Sequence, residues 1–206
     1  QANTITHTAA ISACGKAGEW PRALRLLASI VDYAVNVDTI TCNAAISACE
    51  NVGEWLRALW LWEGVVNCGV QADTITCSAT IRSCENVGEW VRALWLLEAM
   101  VECAVQANTI THTAAISACG KAGEWPRALR LLASIVDYAV NVDTITCNAA
   151  ISACENVGEW LRALWLWEGV VNCGVQADTI TCSATIRSCE NVGEWVRALW
   201  LLEAMV

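Results

Sequence analysis

The sequence repeats itself at two scales. Residues 1–101 are identical to residues 106–206, and within each of these blocks a related segment returns every 35 residues. We number the segments repeats 1 to 6; they occupy 4–38, 39–73, 74–108, 109–143, 144–178 and 179–206, the last one shorter than the others. A fixed period of this length is typical of a tandem array in which each repeat packs on its neighbours. We therefore expect residues 1–206 to form a single repeat array without a separate domain. Two blocks without a single difference indicate either a very recent duplication or deliberate assembly from one block.

Each repeat carries the pattern of two helices joined by a tight turn. In repeat 2, apolar residues from Ile40 to Ala48 recur at a spacing of four, which predicts a first helix. An Asp or Asn directly before each Thr-Ile start can cap this helix, and a glycine such as Gly53 ends it. Trp55 and Trp62 mark the apolar face of a second helix. Because one hairpin cannot bury its own apolar face, the sequence predicts an all-α fold, an α-solenoid superhelix of stacked helix-turn-helix hairpins.

Composition and charge narrow the class of protein. Hydrophobic residues make up 56% of the chain and charged residues 16%, which excludes an intrinsically disordered chain. The longest stretch without a charge, 103–120, holds too many polar residues to cross a bilayer, so no membrane span is expected. The 12 Lys and Arg against 21 Asp and Glu give a net charge of −9, which offers no general attraction for phosphate. Any polyanionic partner must therefore be held by local contacts.

The 13 cysteines follow the repeat and not a disulfide or zinc pattern, since their number is odd and no two form a CxxC pair. Six of them recur every 35 residues, which favours one buried, small apolar position; they are Cys14, Cys49, Cys84, Cys119, Cys154 and Cys189. The two histidines, His7 and His112, have no carboxylate or thiol arranged beside them in sequence for catalysis. We therefore expect no enzyme activity, no metal, no cofactor and a reducing compartment.

The first helix of each repeat carries the most specific motif. In repeat 2 it reads T-x-N-A-A-I-S-A-C-x-x-x-G from Thr41 to Gly53 and is followed by Arg-Ala-Leu at 57–59. With the 35-residue period and the terminal Asp or Asn, this motif resembles the pentatricopeptide repeat family over nearly the whole chain. The tetratricopeptide repeat is a weaker match, because its period is about 34 residues and its tryptophan-led start is missing here.

This resemblance implies a partner, single-stranded RNA, and residues that read it. Proteins of this family bind one nucleotide per repeat, and the fifth and last residues of a repeat, here called a reading pair, contact the base edge. The pairs are Thr8 with Asp38, Asn43 with Asp73, Ser78 with Asn108, Thr113 with Asp143, and Asn148 with Asp178, while Ser183 has no partner in the sequence. The second residue of each repeat is implied to wedge between successive bases; these wedge residues are Ile5, Ile40, Ile75, Ile110, Ile145 and Ile180.

The chemistry of the reading pairs predicts a target. An ionised Asp only accepts hydrogen bonds and suits the ring N–H of guanine or uracil, whereas Asn108 can donate to adenine or cytosine. A short Thr or Ser leaves room for a purine, and Asn43 reaches a smaller pyrimidine. The family's recognition code implies the same assignment, with Thr/Asp for guanine, Asn/Asp for uracil and Ser/Asn for adenine. The predicted target is 5′-GUAGU-3′, followed by A at Ser183 and read parallel to the chain.

Cations that would face the RNA backbone are few. The resemblance implies phosphate contacts at Lys16 and Lys121, each two residues after the recurrent cysteine. In the remaining repeats an asparagine replaces this lysine, at Asn51, Asn86, Asn156 and Asn191. Because fewer counterions are then released, binding should depend on salt less steeply than for a typical basic RNA-binding protein.

The residues alone leave plainer alternatives open. Each terminal Asp or Asn can simply cap a helix, the fifth residue can belong to a solvated face, and the wedge isoleucines can be ordinary core. The rival function is a protein-binding scaffold, favoured by the acidic charge and by Trp195, Leu199 and Trp200, which the shortened repeat 6 leaves uncovered. Self-association through such uncapped ends is expected. The resemblance implies a mitochondrial or chloroplast protein, and no targeting segment is expected in this chain, which starts at Gln1.

Overall fold

The computed structural model describes residues 3–32, 38–137 and 142–204. Over these residues the chain forms twelve α-helices and no strand. Each repeat supplies two helices, so odd numbers denote first helices and even numbers second helices. The helices are α1 (Thr4–Lys16), α2 (Trp20–Asp32), α3 (Thr39–Glu50), α4 (Trp55–Asn67), α5 (Thr74–Val87), α6 (Trp90–Glu102), α7 (Thr109–Lys121), α8 (Trp125–Asp137), α9 (Thr144–Glu155), α10 (Trp160–Asn172), α11 (Thr179–Glu190) and α12 (Trp195–Ala204). No helix in these ranges is long and apolar enough to span a membrane.

First helices begin where the sequence places an Asp or Asn. Asp38 has an extended backbone, and its Oδ1 accepts the N–H of Thr41, the third residue of α3, at 2.8 Å. Asn108 and Asp178 cap α7 and α11 in the same way, at 2.9 Å and 2.8 Å. These bonds satisfy backbone donors that the start of a helix leaves without an intrahelical partner. The helix-capping function predicted for this position is therefore confirmed.

A glycine shapes the turn between the two helices of a repeat. Gly53 follows α3 with a φ of 73°, in the left-handed region that a residue without a Cβ adopts at little cost. This conformation lets the N–H of Glu54 donate to the carbonyl of Cys49 at 3.0 Å, which closes the end of α3. The second helix, α4, then starts at Trp55, as the sequence predicts.

The core is built from residues that recur with the repeat. In the first helices of repeats 1 to 5 one isoleucine is fully buried; these residues are Ile11, Ile46, Ile81, Ile116 and Ile151. The second helices α2, α4, α8 and α10 each pack against the first helix of their own repeat and against that of the next, as α2 does against α1 and α3, and α12 packs against α11. Burying one such side chain stabilises the fold by about 1.5–3 kcal/mol.

The chain divides into two compact units, residues 1–87 with 91–107 and residues 88–90 with 108–206. In the first unit α1, α3 and α5 lie side by side, and in the second unit α7, α9 and α11 do the same. Both units are stacks of helical hairpins, so the predicted fold class, an all-α solenoid, is confirmed. The single array over residues 1–206 stays a prediction.

Candidate nucleic-acid interface

The wedge isoleucines lie on the protein surface. They occupy the second position of the first helices, and their exposed fractions run from 57% at Ile110 to 77% at Ile5. The sequence alone left open that these side chains are core, and the structure excludes this, because the core isoleucine of the same helix lies six residues later, as Ile46 does after Ile40. Each first helix therefore presents one large apolar side chain to solvent at the same place.

The reading pairs of repeats 2 and 5 are joined by direct hydrogen bonds. Asn43 Nδ2 donates to Asp73 Oδ1 at 3.1 Å and lies 3.3 Å from Oδ2. Asn148 Nδ2 and Asp178 repeat this geometry at 3.1 Å and 3.4 Å. In both pairs the asparagine is 8% exposed, whereas the aspartate is more open to solvent. Two side chains 30 residues apart thus place a donor and an acceptor next to each other.

The members of the reading pairs of repeats 1 and 4 are joined through the hydroxyl of a third residue. Thr8 Oγ1 lies 2.8 Å from Thr41 Oγ1, which in turn lies 2.6 Å from Asp38 Oδ1. In repeat 4, Thr113 and Asp143 are connected through Thr146 at 2.7 Å on both sides. In these two repeats a hydroxyl therefore links the threonine to the aspartate, in contrast to the direct bond of the Asn/Asp pairs.

The members of the third reading pair belong to different compact units, Ser78 to the first and Asn108 to the second. Ser78 is half-buried in α5 and donates to the carbonyl of Thr74 at 2.6 Å. Asn108 is exposed and caps α7, where its Oδ1 also accepts from the Thr111 hydroxyl at 2.7 Å. Ser183 is half-buried in α11.

Hydrogen bonds fix the charge of the two aspartates that meet asparagines. Burial is the largest single influence on Asp73 and raises its pKa, but the N–H and hydroxyl of Thr76 and the Asn43 amide together hold the pKa below its usual value. The largest influence on the pKa of Asp178 is the hydrogen bond from the N–H of Thr181, which lowers it. Burial comes second and opposes this effect, but the pKa stays below its usual value. Both carboxylates are therefore ionised at neutral pH and can only accept hydrogen bonds.

A surface groove is lined by one member of a reading pair, Asn43, and by a predicted phosphate contact, Lys16. The groove has a volume of about 240 Å³ and is lined by Lys16, Asn43 and Asn51 together with the small residues of α1 and α3. At Gly15 an added Cβ would lie 2.9 Å from the Ala48 Cβ, so α1 and α3 can approach this closely only with glycine. Lys16, at the end of α1, and Lys121, at the end of α7, are both exposed.

The recurrent cysteines are buried, apart from Cys14, which is half-buried. Burial and, to a smaller extent, the nearby Glu54 and Glu159 raise the pKa of the Cys49 and Cys154 thiols to about 11. These thiols are protonated at neutral pH and pack as small apolar groups. Within the described ranges, no group of three or more His, Cys, Asp and Glu side chains is placed to hold a metal ion.

Comparison with known families identifies the array. The family model described as PPR repeat matches residues 5–33, 40–70, 110–138 and 145–175, and the model described as pentatricopeptide repeat domain matches residues 60–122. The chain belongs to the pentatricopeptide repeat family. No curated protein matches it by sequence.

Solved pentatricopeptide repeat structures share the fold. The crystal structure of PPR10 from maize is 25% identical and superposes with a TM-score of 0.79 over 96% of this chain and 28% of PPR10. PPR10 in complex with an 18-nt psaJ RNA element is 23% identical, with a TM-score of 0.71 over 100% of this chain and 28% of PPR10. The PPR domain of Arabidopsis thaliana protein-only RNase P 1, in complex with tRNA, is 14% identical, with a TM-score of 0.70 over 91% and 95% of the two chains. This chain thus spans less than a third of the length of PPR10.

Sequence reasoning missed a bridge between adjacent pentatricopeptide repeats. The asparagines at the position that holds Lys16 and Lys121 in repeats 1 and 4 donate from Nδ2 to a first-helix carbonyl of the preceding repeat. The bonds run from Asn51 to Gly15 at 3.3 Å, Asn86 to Glu50 at 2.7 Å, Asn156 to Gly120 at 3.1 Å and Asn191 to Glu155 at 3.0 Å. The sequence feature that could have indicated this bridge is the asparagine that replaces lysine at the same position in four repeats.

Sequence reasoning also missed the threonine at the third position of each repeat. Thr41, Thr76, Thr146 and Thr181 have no exposed surface, although their side chains are polar. Each one contacts the reading pair of the repeat before it. The sequence indicates this role by one feature: the third position is threonine in every repeat, although it lies between an isoleucine and a variable residue.

Proposed function

We propose that this chain binds single-stranded RNA, one nucleotide per repeat, with 5′-GUAGU-3′ as its target and A as the next base. The observation that carries the proposal is the contact between Asn43 and Asp73, repeated by Asn148 and Asp178, on a surface flanked by exposed isoleucines. The similarity to structures of PPR10 and the RNase P PPR domain, both in complex with RNA, supports the same class of partner. The protein acts by occupying a site on the RNA and catalyses no reaction.

The Asn/Asp pair complements uracil. Uracil presents a ring N–H beside a carbonyl oxygen, so it needs an acceptor next to a donor. Asp73 supplies the acceptor, and the Asn43 amide, 3.1 Å away, supplies the donor. Cytosine offers a bare ring nitrogen where uracil has N–H, and that nitrogen would face the ionised carboxylate without a proton between them. We therefore expect uracil to be preferred over cytosine at the second and fifth bases.

The other pairs follow the same chemistry. In repeat 1, Thr8 leaves space in front of Asp38, which suits guanine because guanine is larger and carries a ring N–H. In repeat 3, Asn108 replaces the aspartate and adds a donor, which suits the bare ring nitrogen of adenine. Exposed isoleucines such as Ile40 and Ile75 can then pack on base faces, and Lys16 can contact a phosphate at the edge of the groove.

The test measures the affinity of labelled RNA by fluorescence anisotropy. The protein should bind 5′-GUAGUA-3′ more tightly than a scrambled oligonucleotide and more tightly than the reversed 5′-AUGAUG-3′. The change Asn43→Ser with Asp73→Asn should move the preference to 5′-GAAGUA-3′. The same change in repeat 5, Asn148→Ser with Asp178→Asn, is the matched control and should instead prefer 5′-GUAGAA-3′. Equal affinity for the target and the scrambled RNA would refute RNA reading, and a preference for the reversed RNA would refute the parallel orientation.

A protein-binding scaffold is the second candidate, favoured by apolar side chains exposed on second helices. Leu56 and Trp60 of α4 are 61% and 64% exposed, and Trp195 and Leu199 of α12 are 70% and 51% exposed. Self-association through α12 remains part of this proposal. Sedimentation of the chain and of Trp195→Glu tests it, since self-association through this face should be weaker in the variant. A monomer at every concentration would contradict it.

A further inference from the structure

Thr76, the third residue of repeat 3, touches both members of the reading pair of repeat 2. Its Oγ1 lies 2.6 Å from Asn43 Oδ1 and 2.8 Å from Asp73 Oδ1, and its side chain is fully buried. In the second block, Thr181 makes the same two contacts, at 2.6 Å to Asn148 and 2.9 Å to Asp178. Its single proton is shared between two oxygen acceptors.

These contacts define the orientation of the asparagine amide. With Oδ1 held by the Thr76 hydroxyl, Nδ2 faces Asp73 and donates to it at 3.1 Å. The amide nitrogen carries two hydrogens, so one remains for a base. If the amide turned over, it would offer an oxygen to the base instead of an N–H. An oxygen suits the amino group of cytosine better than the carbonyl of uracil.

We propose that the buried threonine at the third position of a repeat sets the base specificity of the repeat before it. The inference rests on the proposed RNA-binding function and extends it to a residue outside the reading pair. Thr76 is a positioning residue, because it acts through Asn43 and Asp73 from a buried place that a base does not reach.

The threonine at the third position also contacts the Thr/Asp reading pairs, but there it has a different effect on the group that faces the base. Thr41 Oγ1 lies 2.6 Å from Asp38 and 2.8 Å from Thr8, so it connects two members that do not bond directly. When Thr41 donates to the carboxylate, the Thr8 hydroxyl points its proton toward Thr41 or the Thr4 carbonyl, and its lone pairs face the base. One invariant threonine therefore supports a donor in Asn repeats and an acceptor in Thr repeats.

The experiment compares the affinities of 5′-GUAGUA-3′ and 5′-GCAGUA-3′ for the intact chain and its variants. Thr76→Val removes the hydroxyl at nearly constant volume and should lower the uracil-to-cytosine ratio at the second base about fivefold. The ratio at the fifth base, measured with 5′-GUAGCA-3′, should not change. Thr181→Val should do the opposite, and Thr76→Ser, which keeps the hydroxyl, should restore the ratio at the second base.

Thr6→Val is the matched control, because Thr6 holds the same place at the start of α1 and bonds to Asn3, which is not part of a reading pair. A ratio at the second base that survives Thr76→Val, or an equal loss at every base, would overturn the inference. Absence of any uracil preference in the unmodified chain would instead refute the proposed function. If Thr76→Val fails to fold by circular dichroism, Thr76→Ala is measured in its place with the same expected result.

Discussion

Replacing Asn51 by lysine should increase affinity for RNA and make it more dependent on salt. Asn51 follows α3, lines the same groove as Asn43 and Lys16, and occupies the position that holds lysine in repeats 1 and 4. A lysine there places a second cation beside a reading pair. Neutralising one phosphate of a single strand releases about 0.7 of a counterion, which is about fivefold in affinity at 0.1 M salt.

The cost of this change to the fold is small. Asn51 Nδ2 donates to the Gly15 carbonyl over a long distance of 3.3 Å, and losing such a bond costs about 0.5–1 kcal/mol. A lysine at the end of α3 regains about 0.3–1 kcal/mol by its interaction with the helix dipole. We therefore expect the free energy of unfolding of Asn51→Lys to stay within about 1 kcal/mol of the unmodified chain.

The assay is the affinity for 5′-GUAGUA-3′ at several salt concentrations. If Lys16 and Lys121 are the phosphate contacts, the slope of log affinity against log salt should be about −1.4 for the unmodified chain and about −2.1 for Asn51→Lys. Asn51→Ala is the control that removes the bridge without adding a cation, so its slope should match the unmodified chain. An unchanged slope in the lysine variant would refute the placement of the RNA backbone along this groove.

Three further predictions concern the buried and exposed isoleucines, the ionised Asp73 and the burial of the cysteines. Ile46→Ala should lower the free energy of unfolding by about 2–5 kcal/mol, whereas Ile40→Ala, at a 68% exposed residue, should leave urea denaturation unchanged and weaken RNA binding. Because the pKa of Asp73 is held below its usual value, its contribution to stability is complete above the ordinary Asp range and is lost as pH falls through the lowered pKa; Asp73→Asn should remove this part of the acid transition. A thiol reagent at pH 8 should label the exposed Cys68 much faster than the buried thiols, and equal rates would contradict the described burial.

The helices and their ends could be predicted from the sequence because their causes are local. A capping oxygen sits three residues from the N–H it accepts, as Asp38 does from Thr41, and Gly53 shapes the next turn by its own φ. The positions of the reading pairs came from the family resemblance. The isoleucine position could not be decided from pattern alone, because Ile40 and Ile46 are both apolar and lie on one helix. Only packing against the neighbouring repeats separates the exposed residue from the buried one.

The contacts that sequence reasoning missed join residues 33 and 36 positions apart, as in Thr76 to Asn43 and Asn86 to Glu50. Neither spacing equals the 35-residue period, because each depends on how far one first helix is shifted along the next when the hairpins stack. This shift is a property of packing. Once it is known, an invariant polar residue such as Thr76 becomes intelligible as a partner of the repeat before it.

Exchanging repeats 2 and 3 tests whether specificity travels with the repeat. Chains cut at the boundaries after Asp38, Asp73 and Asn108 keep each reading pair together, and the next repeat still starts with Thr-Ile-Thr. The threonine contact is therefore rebuilt at every junction, and the target should change from GUAGU to GAUGU. The asparagine bridge is also kept, because its acceptor is a backbone carbonyl.

The exchange does remove interactions specific to the junction of repeats 2 and 3, among them the edge-to-face contact of Trp62 with Trp95, whose ring centroids are 5.4 Å apart. Arg82 and Glu50 form an ion pair at 3.0 Å between repeats 2 and 3, with Arg82 half exposed and Glu50 buried, so its loss leaves the Glu50 carboxylate without its partner and lowers stability. The second block is an internal reference, because its Arg187–Glu155 pair at 2.8 Å stays in place. A stable exchanged chain that still prefers GUAGU would mean that position in the array, and not the pair of adjacent repeats, decides which base is bound.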